Sequence, residues 1–393
     1  MWKRFWGVAA VSASLLLVVG LVARPRGQQL AEPLPALVVA QGADGSRPVG
    51  ALQMPQPGLV ALPLRIVGRA APGPEGALRQ EWPGFHVSAR FEGTEAWVRF
   101  NDGINRWRVL LDGGRSGRID LALPGGRDLH LRGLAPGAHE IRVEKISESF
   151  MPANFGGILI RRDAGAALPA PPPAARLIEF IGDSDTVGFA NGATQRDCSE
   201  AEVFARTDTS ASFGPALAAA LGTDYRMIAR SGIGLLRNYG GAAQDATMRS
   251  RYPLALPGEP AASGLPQPAA DVVVTGIGSN DFGTELTPGE PWSDLAALSR
   301  DFGPALTEFL RARVRENPDA LQVLLAFGEY GAPLVEPYRE AFAALQADGA
   351  RATLVVLPQL ERSACFWHPS LADHALIAQS LALAIRASER RDR

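Results

Sequence analysis

A serine hydroxyl is a weak nucleophile at neutral pH. It attacks a carbonyl only with a base beside it and donors ready for the oxyanion. The sequence offers residues for each part. Gly182-Asp183-Ser184 closes an apolar run at 177–181, and the glycine lets the backbone turn tightly before the serine. Arg230-Ser231-Gly232-Ile233-Gly234 and Gly276-Ile277-Gly278-Ser279-Asn280-Asp281-Phe282 follow two further apolar runs, and Phe366-Trp367-His368-Pro369-Ser370 follows the last. A glycine at a strand end can present its N–H and an asparagine its side-chain amide. Ser184, Gly232 and Asn280 would thus supply three oxyanion donors. The chemistry that such a set could perform is acyl transfer from an ester. Each block alone also fits an ordinary turn or cap; it is their combination that points to catalysis. The serine is not framed as Gly-x-Ser-x-Gly, so an α/β-hydrolase elbow is not indicated.

Counting histidines selects the base. Of five, His86, His130 and His139 fall in the first half of the chain and His374 in a predicted helix. His368 remains, in a loop where Pro369 biases it towards extended backbone.

These residues need a scaffold. The apolar runs at 177–181, 225–229, 271–275, 321–327 and 352–357 alternate with helical patterns at about 210–221, 294–315, 335–348 and 371–387. Continuous apolar strands between amphipathic helices predict a parallel sheet covered on both faces. Ligands bind beyond the carboxyl ends of such strands, and all four blocks fall at that edge. The first half, at 63–162, reads instead as short strands broken by turns such as Asn101-Asp102-Gly103, which predicts a β-sandwich or jelly roll. A linker at 163–175, with Leu168-Pro169-Ala170-Pro171-Pro172-Pro173, separates it from the α/β domain at 176–393.

Residues 24–62 read as a low-complexity spacer. Ahead of it, Lys3 and Arg4 precede an apolar run at 5–23, which Arg24-Pro25-Arg26 ends. This is the pattern of a signal peptide or an uncleaved signal anchor. The protein is therefore expected to be exported, periplasmic or extracellular, and either free or tethered to the membrane by residues 5–23. A buried core helix is the alternative. The 393 residues carry a net charge of −2 with no Lys/Arg cluster in the folded part, which argues against nucleic acid as a partner.

In order, Gly182-Asp183-Ser184, Ser231-Gly232, Gly278-Ser279-Asn280-Asp281 and Trp367-His368-Pro369 match the four blocks of the SGNH (GDSL-like) hydrolase superfamily. More narrowly, the chain resembles carbohydrate esterase family 2, the acetylxylan and related acetyl esterases. Ser231-Gly232-Ile233-Gly234-Leu235-Leu236-Arg237-Asn238-Tyr239, Arg90-Phe91-Glu92-Gly93 and Phe155-Gly156-Gly157-Ile158 carry that narrower likeness, which extends from about Arg65 to the C-terminus. It implies an N-terminal jelly roll followed by a flavodoxin-like three-layer SGNH domain. Ser184 would attack an acetyl group on a xylan- or mannan-type polysaccharide or oligosaccharide. His368 would move the proton, Ser184, Gly232 and Asn280 would hold the oxyanion, and water would release acetate. No cofactor or metal is implied, and no His/Asp/Glu cluster stands at ligand spacing. Competing readings are an esterase or acyltransferase for cell-envelope or exopolysaccharide acetyl groups, and a glycan-binding protein with a decayed catalytic site.

The chain departs from the pattern at one point. SGNH enzymes usually carry an aspartate two or three residues before the histidine, where this sequence has Phe366 and Cys365. A backbone carbonyl near Cys365 or Phe366, a distant carboxylate such as Glu361 or Glu329, or loss of activity are the three accounts. Cys198 and Cys365 flank the candidate site and are expected to pair in an oxidising compartment; two unpaired thiols are the alternative. Trp292 and Trp367 are candidate substrate contacts by stacking, or else packing residues.

Overall fold

Strand parity and apolar runs divide residues 49–391, which the computed structural model describes, into two sheet systems. The expected export segment at 5–23 and the first part of the spacer lie outside the described residues. The described residues all belong to one compact unit, and no helix among them is long and apolar enough to cross a membrane.

Thirteen strands form the first system: β1 Val49–Gln53, β2 Leu59–Ala61, β3 Arg65–Val67, β4 Ala70–Pro72, β5 Leu78–Gln80, β6 His86–Gly93, β7 Glu95–Asn101, β8 Arg106–Leu111, β9 Gly117–Ala122, β10 Asp128–Arg132, β11 Ala138–Lys145, β12 Ala153–Arg161 and β13 Gly165–Ala167. They make two antiparallel sheets. One runs β1-β10-β7-β12-β5-β4 with β2 also on β12; the other runs β13-β6-β11-β8-β9 with β3 on β6. Alternate residues from both sheets, among them Phe91, Val98, Phe100, Trp107 and Phe155, fill a single core between them. The structure moves two sequence boundaries. β1 and β2 lie inside the stretch read as spacer, and β13 inside the stretch read as linker. All three are edge strands, whose backbone pairing gives no strong apolar pattern to read.

The second system is a parallel sheet of β14 Leu177–Gly182, β15 Asp224–Ala229, β16 Val272–Gly276, β17 Leu321–Phe327 and β18 Ala352–Leu357. Its order is β15-β14-β16-β17-β18, the flavodoxin-like arrangement. Every residue of β14, β16 and β17 is buried, as expected of strands covered on both faces. The helices are α1 Ser184–Val187, α2 Glu200–Arg206, α3 Phe213–Leu221, α4 Met248–Arg251, α5 Ser279–Phe282, α6 Leu295–Glu316, α7 Ala332–Ala347 and α8 Leu371–Arg391. α3 packs against α8, and α6 against α7.

The two systems share polar and apolar contacts. Trp82, from the sandwich, is buried in the core of the α/β domain, and its indole N–H donates to the Leu254 carbonyl at 3.1 Å. Arg108 pairs with Asp208 at 2.8 Å, and Arg65 pairs with Asp224.

Candidate active site

β14 lies between β15 and β16 with Gly182 in register with Ala229 and Gly276. Three strand ends therefore stop level, and their loops share one edge of the sheet. Gly182 is required by space: a Cβ there would meet Thr186 Oγ1 at 2.0 Å and the Gly276 carbonyl at 2.7 Å. The chain then turns into α1, whose first residue is Ser184. The helix is capped by Asp183, which accepts the Asp185 N–H at 3.0 Å. As the first residue of a helix, Ser184 has no intrahelical acceptor for its N–H, and the group is available to a ligand.

The second block is shaped by the third. Gly232 adopts φ +77° in open space, a conformation that glycine takes without strain. No described hydrogen bond uses its N–H. Asn280 donates one amide hydrogen to the Ile233 carbonyl at 2.8 Å; an amide nitrogen has a second to offer. Asp281 accepts the N–H groups of Leu235, Leu236 and Arg237 at 2.8–2.9 Å. Burial pushes its carboxyl up to about 6 despite those three donors. Arg237 pairs with Glu290 and donates to the Asp281 and Glu285 carbonyls. Asp183 accepts a hydrogen bond from Ser279, and burial, reinforced by the charge of Asp185, holds its carboxyl above the usual range. The first three blocks are thus bonded to one another.

The histidine loop is fastened on three sides. Cys365 is disulfide-bonded to Cys198, and both are buried with Ala190, Ala193 and Ala364 in a small cluster of their own. Arg196 donates to the carbonyls of Arg362 and Glu361 at 2.8 and 2.9 Å. Arg362 is the third fastening: its guanidinium grips both oxygens of Asp185 at 2.6 and 3.0 Å, pairs with Glu329, and donates to the Trp367 carbonyl at 3.2 Å. It therefore bridges the residue after Ser184 to the residue before His368. Burial alone would raise Asp185, but Arg362 outweighs it and the carboxyl lies below its ordinary value.

His368 Nδ1 lies 2.9 Å from the Cys365 carbonyl. A carbonyl oxygen only accepts, so Nδ1 carries the hydrogen and Nε2 is left with its lone pair. The imidazole packs on Phe189 at 4.3 Å. Burial lowers its pKa, opposed by the charge of Asp185 and the Cys365 hydrogen bond. Neither distant carboxylate orients the ring. Glu329 is engaged with Arg362 and the Leu360 N–H, and the Glu361 side chain is exposed. His374 accepts the Phe213 N–H and burial holds it near 4, which makes it a neutral tie between α8 and α3.

The two tryptophans separate. Trp367 is 62% exposed beside His368, with the Arg196 guanidinium 3.6 Å from its ring centre. Trp292 donates to Asp301 of α6 at 2.9 Å and packs against the α/β core, which accounts for it as packing. Asp185, Arg362, Asp281 and Arg237 were not singled out from the sequence. The only signal was their position inside or next to the four blocks.

Comparison with known proteins agrees with this architecture. Residues 66–172 match the family model "Carbohydrate esterase 2 N-terminal". An acetylxylan esterase / glucomannan deacetylase of Cellvibrio japonicus is 32% identical over 326 residues, which cover 81% of this chain and 89% of that protein. A solved carbohydrate esterase with divergent catalytic and non-catalytic binding functions superposes with a TM-score of 0.75 at 30% identity, over 82% of this chain and 97% of its own. A family two carbohydrate esterase from Clostridium thermocellum, solved with cellohexaose, gives 0.69 at 28%, over 81% and 97%. With its β domain, its parallel sheet and a relative matched over most of both lengths, the chain belongs to carbohydrate esterase family 2.

Proposed function

We propose that this esterase removes O-acetyl groups from xylan- or mannan-type polysaccharide through a Ser184–His368 dyad. The observation that carries the mechanism is the 2.9 Å contact between His368 Nδ1 and the Cys365 carbonyl. It fixes the tautomer in which Nε2 can accept a proton. Ser184 Oγ attacks the acetyl carbon and passes its proton to Nε2. The new imidazolium keeps its Nδ1–H on the Cys365 carbonyl. The oxyanion is held by the Ser184 and Gly232 N–H groups and by Asn280. Collapse expels the sugar alkoxide, which takes the proton from Nε2. Water, activated by the same nitrogen, then attacks the acetyl-serine and frees acetate. Trp367 offers an exposed aromatic face to the sugar.

Export belongs to the same proposal. It is supported by the basic and apolar start of the chain and by a disulfide beside the site, a bond that persists in oxidising compartments.

Hydrolysis of 4-nitrophenyl acetate and release of acetate from acetylated xylan and glucomannan test the reading. Ser184→Ala and His368→Ala are each expected to lose on the order of 10³-fold or more in kcat. Unchanged turnover in Ser184→Ala would refute the dyad.

A further inference from the structure

The connection between β11 and β12 of the sandwich presents two large apolar side chains to solvent. Phe150 is 54% exposed and Met151 is 59% exposed. Scattered exposed hydrophobes are common and need no account. This pair differs because the segment that carries it is pinned along its length. Glu148 accepts the Ser231 N–H at 2.6 Å. Ser149 Oγ accepts from the buried Lys145 ammonium at 2.7 Å. The Phe150 carbonyl accepts from Arg230 at 3.3 Å. Pro152 packs so closely on Gly258 that a Cβ there would meet it at 2.9 Å. An apolar pair on a segment already ordered is a preorganised surface, because little conformational freedom remains to be lost when a ligand binds.

The Arg230 guanidinium lies over the Phe150 ring, 4.6 Å from its centre. Arg230 is itself fixed by Glu81 at 3.1 Å, which offsets its charge. The ring is thus backed on one face and, with more than half of the residue in solvent, open on the other. Trp367 is presented in the same way, exposed and backed by the Arg196 guanidinium. Their places in the chain matter. Arg230 leads directly into Ser231-Gly232, the proposed oxyanion loop, and Trp367 leads into His368. Each of the two loops that would act on the acetyl group therefore adjoins or carries an exposed aromatic face. A flat apolar face whose neighbouring charge is balanced fits the C–H face of a pyranose better than it fits an ion.

We infer that Phe150 is a sugar-stacking platform that the sandwich contributes to the catalytic edge, with the polarizable thioether of Met151 on the same ledge. It takes a pyranose other than the one that bears the acetyl group. The ligand class rests on the polysaccharide reading above; the pinned, arginine-backed ring does not. An acetylated chain is then a better substrate than a single acetylated sugar, because only a chain reaches Ser184 and Phe150 together.

The test compares the full chain with Phe150→Ala and Phe150→Trp on esters of increasing length: 4-nitrophenyl acetate, acetylated methyl xyloside and acetylated xylo-oligosaccharides. In Phe150→Ala the KM for the oligosaccharides is expected to rise about tenfold, and the two short esters should lose much less. Phe150→Trp, which keeps a flat face, should restore the oligosaccharide KM. Calorimetric binding of unacetylated xylo-oligosaccharides, which needs no turnover, should weaken in Phe150→Ala to the same degree. The inference is overturned if Phe150→Ala impairs all the esters alike, since the ring would then only prop Arg230 and the oxyanion loop. It is equally overturned if neither KM nor binding changes, or if the loss appears on 4-nitrophenyl butyrate and not on the oligosaccharides, which would place the ring at the acyl group. Failure of the esterase reading would register separately, as no acetate release from any acetylated sugar by the wild type, with the calorimetry still deciding whether Phe150 binds the chain.

Discussion

In the proposed dyad His368 is oriented by the Cys365 carbonyl and not by a carboxylate, and that arrangement has a measurable consequence. A carbonyl dipole stabilises an imidazolium less than a carboxylate does, and burial lowers the pKa of the ring further. The neutral, proton-accepting form therefore persists into mildly acidic solution. The acidic limb of the kcat/KM profile is expected below 6.5, the ordinary value for histidine. Asp185 opposes the lowering through space. Removing its charge in Asp185→Asn also leaves Arg362 balanced by Glu329 alone, and both changes disfavour the imidazolium. The limb should move to still lower pH, as read from 4-nitrophenyl acetate hydrolysis across pH 4–8. A limb that moves upward would mean that Asp185 does not act on the ring electrostatically.

At the scale of elements, the histidine loop is strained and clamped. Arg362, Phe366 and Trp367 all have positive φ without being glycine, at 48°, 52° and 63°. Each such residue costs on the order of 1–3 kcal/mol and persists only when its surroundings enforce it. The disulfide and Arg362 do the enforcing. Arg362→Met would strand two buried carboxylates, Asp185 and Glu329, and is expected to destabilise the fold by about 3–5 kcal/mol. Chemical denaturation followed by circular dichroism would measure this; Arg362→Lys, which keeps one cation, should lose less. The disulfide half of this clamp was expected from the sequence, but the Arg362 half could not be, because Arg362 and Asp185 stand 177 residues apart and their meeting depends on how two loops are folded. The strand ends were legible for the opposite reason. A strand buried on both faces must be apolar throughout, so β14, β16 and β17 announced themselves, and with β14 and β16 the blocks at their ends. β1 and β2 did not: Val49-Gly50-Ala51-Leu52-Gln53 and Leu59-Val60-Ala61 are short edge strands within a stretch rich in proline, glycine and glutamine. Cys198 and Cys365 were conspicuous as the only two cysteines in the chain.

At the scale of the whole molecule, the sandwich reaches into the loop that carries the proposed oxyanion donor. Glu148, in the connection between β11 and β12, accepts the Ser231 N–H at 2.6 Å, and burial holds its carboxyl above the ordinary value. Nearby, Glu81 pairs with Arg230 at 3.1 Å and accepts the Gly258 N–H at 2.7 Å. The peptide after β15 is thus gripped from the α/β domain by Asp281 and Asn280 and from the sandwich by Glu148. Gly232, which could otherwise rotate freely, is held between the two. If Glu148 positions that peptide, the requirement is for an oxygen acceptor, not for a charge. Glu148→Gln keeps the acceptor and should retain most activity. Glu148→Ala should lose on the order of 10–100-fold in kcat with little change in KM, because the donor is displaced from where the oxyanion forms while the sugar contacts stay intact. Steady-state kinetics on 4-nitrophenyl acetate and on acetylated xylan separate the two parameters. Equal losses in both variants would assign Glu148 to folding alone, whereas rescue by glutamine would make the sandwich part of the catalytic apparatus.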